Sequence, residues 1–206
     1  MPDHNRSVFI EGKMNHNADS LQFPAVRLGV TGHQFLEDLS ALTKACEEAM
    51  QMVEERYPNR KILLYSALSA GADHLAAEIA LKIHLPLVAI VPQDQDTYVQ
   101  GMSPDYREEY QNMLRRSTQQ IAPSGVKGQS PYQSIENFLV ENMDCLIAFW
   151  NGKEARGPGG TGDVVKKFDN TLKPWIWVRT QNMAAGNPQR LEEGLIQGSI
   201  LAYHWQ

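Results

Sequence analysis

Cysteine is scarce in this 206-residue chain: Cys46 and Cys145 stand far apart, with no Cys-x-x-Cys or Cys/His spacing. That excludes a disulfide-framed fold and a zinc site of the usual spacing. Both thiols read as small buried apolar residues in a reducing compartment. Long apolar runs are missing as well, and none approaches the roughly 20 residues of a membrane span. The opening Met1-Pro-Asp-His-Asn-Arg6 has no apolar core of the secretory kind, so the expected location is the cytoplasm. Positive charge is thin: 19 Lys and Arg stand against 24 Asp and Glu, a formal net charge of -5. No Lys/Arg run exceeds two adjacent residues. That balance disfavours nucleic acid as a general partner, and nothing in the chain points to a membrane.

Several chemical signatures are absent too. No Gly-Lys-Ser/Thr follows the glycines, so there is no Walker loop. The first strand carries no Gly-x-Gly-x-x-Gly, which disfavours an ordinary NAD dehydrogenase. No Gly-x-Ser-x-Gly elbow and no metal-ligand cluster occur. No metal and no cofactor is therefore called for.

What is present is an ordinary globular composition, 42% hydrophobic and 21% charged, with a clear alternation of short apolar runs and amphipathic stretches. Residues 1–22 are polar and aperiodic apart from Val8-Phe9-Ile10 and read as a loose arm. Strands are expected at Ala25–Val30, Lys61–Tyr65, Leu85–Val91, Asp144–Trp150 and Pro174–Val178. A helix carries Leu42, Cys46, Ala49, Met50 and Val53, and another carries Leu75, Ala76, Ile79, Ala80 and Ile83. Near-continuous apolar strands alternating with helices mark a parallel sheet covered on both faces. The expected fold class is α/β: a Rossmann-like, doubly wound, mainly parallel five-stranded sheet with helices on both faces, in the order 3-2-1-4-5.

Residues 93–130 read as an elaborated crossover, with a lid over the site as one reading. It comprises a polar loop from Gln93 to Gly101, a helix from Ser103-Pro104, and a flexible Pro123–Gly128. A further helix is opened by the Ser130-x-x-Gln133 capping box. Its Ile135, Phe138 and Leu139 suit either the core or the seam of a homo-oligomer. Residues 23–182 make up the main domain. Residues 183–206 read as a helical extension opened by Asn187-Pro188 and carrying Leu191, Leu195, Ile196 and Ile200.

The stretch richest in chemistry follows strand four: Trp150-Asn-Gly-Lys-Glu-Ala-Arg-Gly-Pro-Gly-Gly-Thr-Gly-Asp163. A strand, a glycine-rich loop and then a helix allow a backbone to wrap a phosphate at a helix N-terminus. The N–H groups of Gly159, Gly160 and Thr161 are the expected phosphate donors, with Thr161 as helix cap and Arg156 or Lys153 neutralising charge. The glycines equally suit a tight turn. Asn151 belongs to the same loop. Across the switch point lie Gly32, which would let backbone approach a ligand, and His33, either solvated or a ligand contact. After strand two, Ser69, Gly71 and Asp73 complete the set: Asp73 suits a helix N-cap or a ribose contact, Ser69 a turn or a phosphate contact. Trp150, Trp175 and Trp177 fit the core better than a base-stacking platform.

Gly29-Val-Thr-Gly-His33, Ser69-Ala-Gly-Ala-Asp73, Asp144-Cys-Leu-Ile-Ala-Phe-Trp-Asn-Gly152 and Gly157-Pro-Gly-Gly-Thr161, in that order, resemble the SLOG superfamily. That is the Rossmann-like group named for DprA/Smf and LOG proteins, and the resemblance spans about residues 25–180. It implies a small-molecule partner, a nucleotide or nucleotide-derived ligand such as a nucleoside phosphate or an ADP-ribose-type molecule, in a sensor or accessory module. The alternative it implies is a LOG-like nucleotide N-glycosidase. The LOG pattern Pro-Gly-Gly-x-Gly-Thr-x-x-Glu is one residue short here and lacks its glutamate, leaving Asp163 or Glu154 as the candidate catalytic carboxylate.

Overall fold

The computed structural model describes residues 24–125 and 128–206. The arm expected over residues 1–22, with Val8-Phe9-Ile10, lies outside the described residues, as does the middle of Pro123–Gly128, the stretch expected to be flexible. One sheet organises the rest. Its strands are β1 (Val26–Gly32), β2 (Ile62–Ser66), β3 (Leu87–Ile90), β4 (Gln119–Ile121), β5 (Cys145–Trp150), β6 (Trp175–Arg179) and β7 (Ile200–Tyr203), in the order β4-β3-β2-β1-β5-β6-β7. The first six are parallel, and β7 runs antiparallel to β6. The fold is α/β, Rossmann-like and mainly parallel, as expected, and the five expected strands take the expected order.

The helices are α1 (Leu39–Arg56), α2 (Ala72–Lys82), α3 (Gln95–Gln100), α4 (Pro104–Arg116), α5 (Pro131–Asn142) and α6 (Thr161–Asp169). Right-handed crossovers leave β1 in one direction and β5 in the other, which puts α1 and α2 on one face and α6, beside α5, on the other. Packing of α1 on α2 and of α5 on α6 agrees. Val26, Leu28, Leu64, Leu87, Leu146, Ile147 and Ile176 are wholly shielded from solvent, as strands covered on both faces require. Among the described residues, no helix is long and apolar enough to cross a membrane.

Four expectations are corrected. The sheet has seven strands, because two short edges were not visible as apolar runs: β4 is only Gln119-Gln-Ile121, and β7 lies in the segment read as helix. That segment, residues 183–206, forms turns, an isolated antiparallel bridge between Asn182 and Gln189, and then β7. Gly186, Gly194 and Gly198 sit there at φ 75°, 85° and 76°, left-handed values that end a helix and that glycine adopts freely. Strand β7 also covers the otherwise open edge of β6, and Tyr203 stacks on Trp175 with ring centroids 4.4 Å apart.

The polar loop expected from Gln93 to Gly101 contains α3, capped by the Asp94 carboxylate accepting from the Thr97 N–H at 3.1 Å. The last correction concerns α6, which starts at Thr161 rather than Asp163. Gly160 is its N-cap, with no side-chain cap bond. The capping box of α5 formed as expected, with Ser130 and Gln133 each accepting the other's backbone N–H.

Candidate functional site

Strands β1 and β5 lie side by side at the point where the winding reverses, and the loops leaving them must diverge there. Between those loops is a cavity of about 370 Å³. Its walls come from the end of β1 and the following loop (Thr31 to Phe35), the β2–α2 connection (Ala67, Ser69, Asp73), one face of α5, the glycine loop with the start of α6, and Asn182 with Gln189. The volume falls at the small end of the roughly 300–1,000 Å³ typical of ligand sites.

The glycine loop takes its shape from tryptophan. Trp150 Nε1 donates back to the Lys153 carbonyl at 2.7 Å, and Trp177 Nε1 donates to the Trp150 carbonyl at 2.7 Å. The three tryptophans are therefore framework, and none lines the cavity. Gly159 has φ 81°, and a Cβ there would lie 2.5 Å from the Tyr132 carbonyl carbon at the start of α5. Gly160 N–H is used on the Gly157 carbonyl at 3.1 Å, so it is not a free donor. The N–H groups of Thr161 and Gly162, in the first turn of α6, find no acceptor among the described residues. They give the cavity its anion-attracting end. Arg156 lines the same cavity, exposed, with one guanidinium N–H donated to the Asn187 carbonyl.

Gly32 and Gly71 are explained by packing. A Cβ on Gly32 would sit 2.4 Å from Ala72 Cβ and 2.6 Å from Phe149 Cβ. One on Gly71, at φ 84°, would sit 2.4 Å from the carbonyl oxygens of His33 and Gln34. These glycines let α2 close against the end of β1, and Ala72 N–H donates to the His33 carbonyl at 3.1 Å. Gly32 makes room for Ala72 and Phe149 and also borders the cavity, whereas Gly71 does not.

His33 is half-buried at the cavity edge. Its Nε2 accepts the Asn151 N–H at 3.1 Å, and its Nδ1 faces the Asn182 amide at 3.4 Å. Burial pushes its pKa down to about 4, and the charge of Arg156 acts in the same direction. A ring whose Nε2 accepts a hydrogen bond is neutral and carries its proton on Nδ1, so the Asn182 side-chain nitrogen, itself a donor, makes a contact there and not a hydrogen bond. His33 thus joins the ends of β1 and β5. Asn151 itself is buried away from the cavity: its amide donates to Gln189 Oε1 and its carbonyl oxygen accepts the Lys153 N–H, both at 3.1 Å.

Asp73 is not a helix cap, since Gly71 holds that position. The carboxyl is 6% exposed, borders the cavity, and accepts from Ser69 Oγ at 2.8 Å. Burial pushes it up to about 7, opposed by the Ser69 hydrogen bonds. The loop that presents it is held under strain. Leu68 is buried at φ 57°, and its carbonyl accepts the Tyr106 hydroxyl at 3.0 Å while the Ala67 carbonyl accepts the Tyr98 hydroxyl at 2.9 Å. The crossover read as a lid is therefore, over α3 and α4, pinned to the loop it covers.

Of the carboxylates named from the sequence, Glu154 borders the cavity and is exposed, whereas Asp163 does not border it. A different one does. Glu136, on α5, is 2% exposed at the cavity wall. Lys167 Nζ approaches its Oε1 at 2.9 Å without the angle of a hydrogen bond. Residues Tyr132, Ile135, Glu136 and Leu139 recur at i, i+3, i+4 and i+7 and form the face of α5 turned to the cavity. The apolar set Ile135, Phe138 and Leu139 suggested a core or dimer face and hid Glu136 between its members. Gln189 was missed because its segment read as helix, and Asn182, the last residue of the expected main domain, sits in no motif of the sequence. Among the described residues, no group of three or more His, Cys, Asp or Glu is placed to hold a metal ion.

No protein-family model matches this chain, and no curated protein matches it. Solved structures similar to it include DNA processing protein A (DprA) from Streptococcus pneumoniae, at 15% identity and a TM-score of 0.48, covering 71% of this chain and 48% of that chain. The structural-genomics target TM1055 shows 16% identity and a TM-score of 0.45, over 73% of this chain and 72% of its own. The molybdenum cofactor carrier protein from Chlamydomonas reinhardtii shows 17% identity and a TM-score of 0.45, over 74% and 76%. This chain thus spans about half the length of DprA. With TM-scores below 0.5, the fold assignment rests on the chain's own strand order.

Proposed function

We propose that the cavity between the β1 and β5 loops binds a nucleotide or nucleotide-derived ligand, in a sensor or accessory role. The observation that carries this reading is the first turn of α6, with the N–H groups of Thr161 and Gly162 unpaired among the described residues. That turn opens into a cavity at the switch point of a parallel sheet. Phosphate would lie at this turn beside Arg156, and ribose hydroxyls would meet Ser69 and Asp73. Thermal unfolding in the presence of nucleoside mono- and diphosphates, ADP-ribose and NAD tests it: a Tm that climbs with ligand concentration is expected. Arg156→Ala, at an exposed position, should reduce that rise. No rise with any compound of the panel would overturn the reading.

A second reading is cleavage of a nucleotide N-glycosidic bond. Asp73 favours it, because a cavity carboxyl held near 7 by burial can carry a proton to a leaving group at neutral pH. The assay is release of free base from nucleoside monophosphates, and its absence in the wild-type protein would remove this second reading.

A further inference from the structure

We infer that Phe35 and Tyr132 form an aromatic grip at the cavity mouth for a flat heteroaromatic ring, the nucleobase end of the ligand; this rests on the nucleotide reading above. Seven large hydrophobic side chains are well exposed among the described residues: Phe35, Leu39, Ile83, Tyr132, Leu172, Ile196 and Leu201. The five aliphatic ones all lie away from the cavity, as scattered surface residues do. The two aromatic ones both border it. Phe35 is 52% exposed and Tyr132 36%. Aromatic rings carry a large apolar face and a quadrupole suited to stacking on another ring, and aliphatic side chains lack the second property.

Both residues are held where they stand. The Phe35 carbonyl accepts the Met183 N–H at 2.9 Å, which fixes the loop after β1 against the segment after β6. Tyr132 packs at an angle of 62° on Tyr98, with centroids 5.5 Å apart. Tyr98 is itself buried and anchored through its hydroxyl to the Ala67 carbonyl. The Tyr132 backbone also abuts Gly159 of the glycine loop, so the ring-binding and phosphate-binding parts of the cavity share a wall. Tyr132 is held by its ring and Phe35 by its backbone, which limits the freedom lost when a third ring covers them.

Titration calorimetry with AMP, ribose 5-phosphate and inorganic phosphate, on wild type and on Phe35→Ala, Phe35→Leu, Phe35→Tyr and Tyr132→Ala, tests the inference. Wild type should bind AMP at least about tenfold more tightly than ribose 5-phosphate. Each alanine variant should lose roughly 5- to 100-fold in AMP affinity and keep its affinity for ribose 5-phosphate. Phe35→Leu should resemble the alanine variant, and Phe35→Tyr should restore binding. Equal affinity for AMP and ribose 5-phosphate, or equal losses for both in the alanine variants, would overturn the grip and leave the phosphate site standing. Binding of none of the three probes would overturn the grip together with the nucleotide reading.

Discussion

The backbone N–H of Asn151 donates to Nε2 of His33 at 3.1 Å, joining the chain just past β5 to the chain just past β1. Two loops that must part to open a cavity are thereby tied at its edge. Asn151 is 1% exposed, so removal of the ring leaves its N–H without an acceptor in a buried place. His33→Ala is expected to cost roughly 1–3 kcal/mol at pH 7, measured by urea unfolding, while His33→Gln, which offers an amide oxygen, should recover part of the loss. A cost below about 0.5 kcal/mol for the alanine variant would show that the tie contributes little.

Asp73 and His33 respond to pH in opposite senses. The His33 ring titrates at about 4 when folded against 6.5 in the free side chain. Between those values the unfolded chain binds the extra proton, so stability is lost as pH falls through that window. The Asp73 carboxyl titrates at about 7 against 3.8. Between those values the folded chain holds the extra proton, so stability is lost as pH rises toward 7. Asp73→Asn removes the second effect only. Relative to wild type, the variant should be more stable at pH 8 than at pH 4 by roughly 2–4 kcal/mol. Denaturant curves at the two pH values check this, and a pH-independent difference would refute it.

The glycines of the loop should not be equivalent. Gly157 has nothing within 4 Å of where a Cβ would stand, and Gly159, at φ 81°, has the backbone of Tyr132 and Gln133 there. Gly157→Ala should change stability by no more than about 0.5 kcal/mol. Gly159→Ala should cost roughly 1–3 kcal/mol through strain and displacement of α5. Equal melting temperatures for the two variants would contradict the packing described.

Much of the architecture was legible in the sequence because burial on both faces leaves a direct trace. Runs as short as Ile62-Leu-Leu-Tyr65 and Cys145–Phe149 suit central strands, being too brief for a buried helix, and the helical spacing of Leu42, Cys46, Ala49 and Val53 marks one face of α1. The meeting of the loops after β1, β2 and β5 followed from the strand order alone. The edges were not legible: β4 carries one apolar residue, and β7 forms only because β6 offers it an open edge. The helix drawn from Leu191, Leu195, Ile196 and Ile200 had the right spacing, but Gly194 and Gly198 break it.

Local chemistry determined that the loop after β5 turns tightly and leads into a helix, since Gly157-Pro-Gly-Gly-Thr161 permits little else. Only the tertiary structure decided which groups face the cavity. It kept Gly32 at the cavity wall, gave Gly71 to helix packing, turned Asn151 inward, left Asp163 out of the lining, and brought Glu136, Phe35 and Tyr132 to the walls. The reason is physical: backbone preference and apolar periodicity act over a few residues. Which side of a side chain meets solvent, a partner or an opening depends on elements far apart in the chain, such as α5 and β1, whose distance in sequence carries no trace of their contact in space.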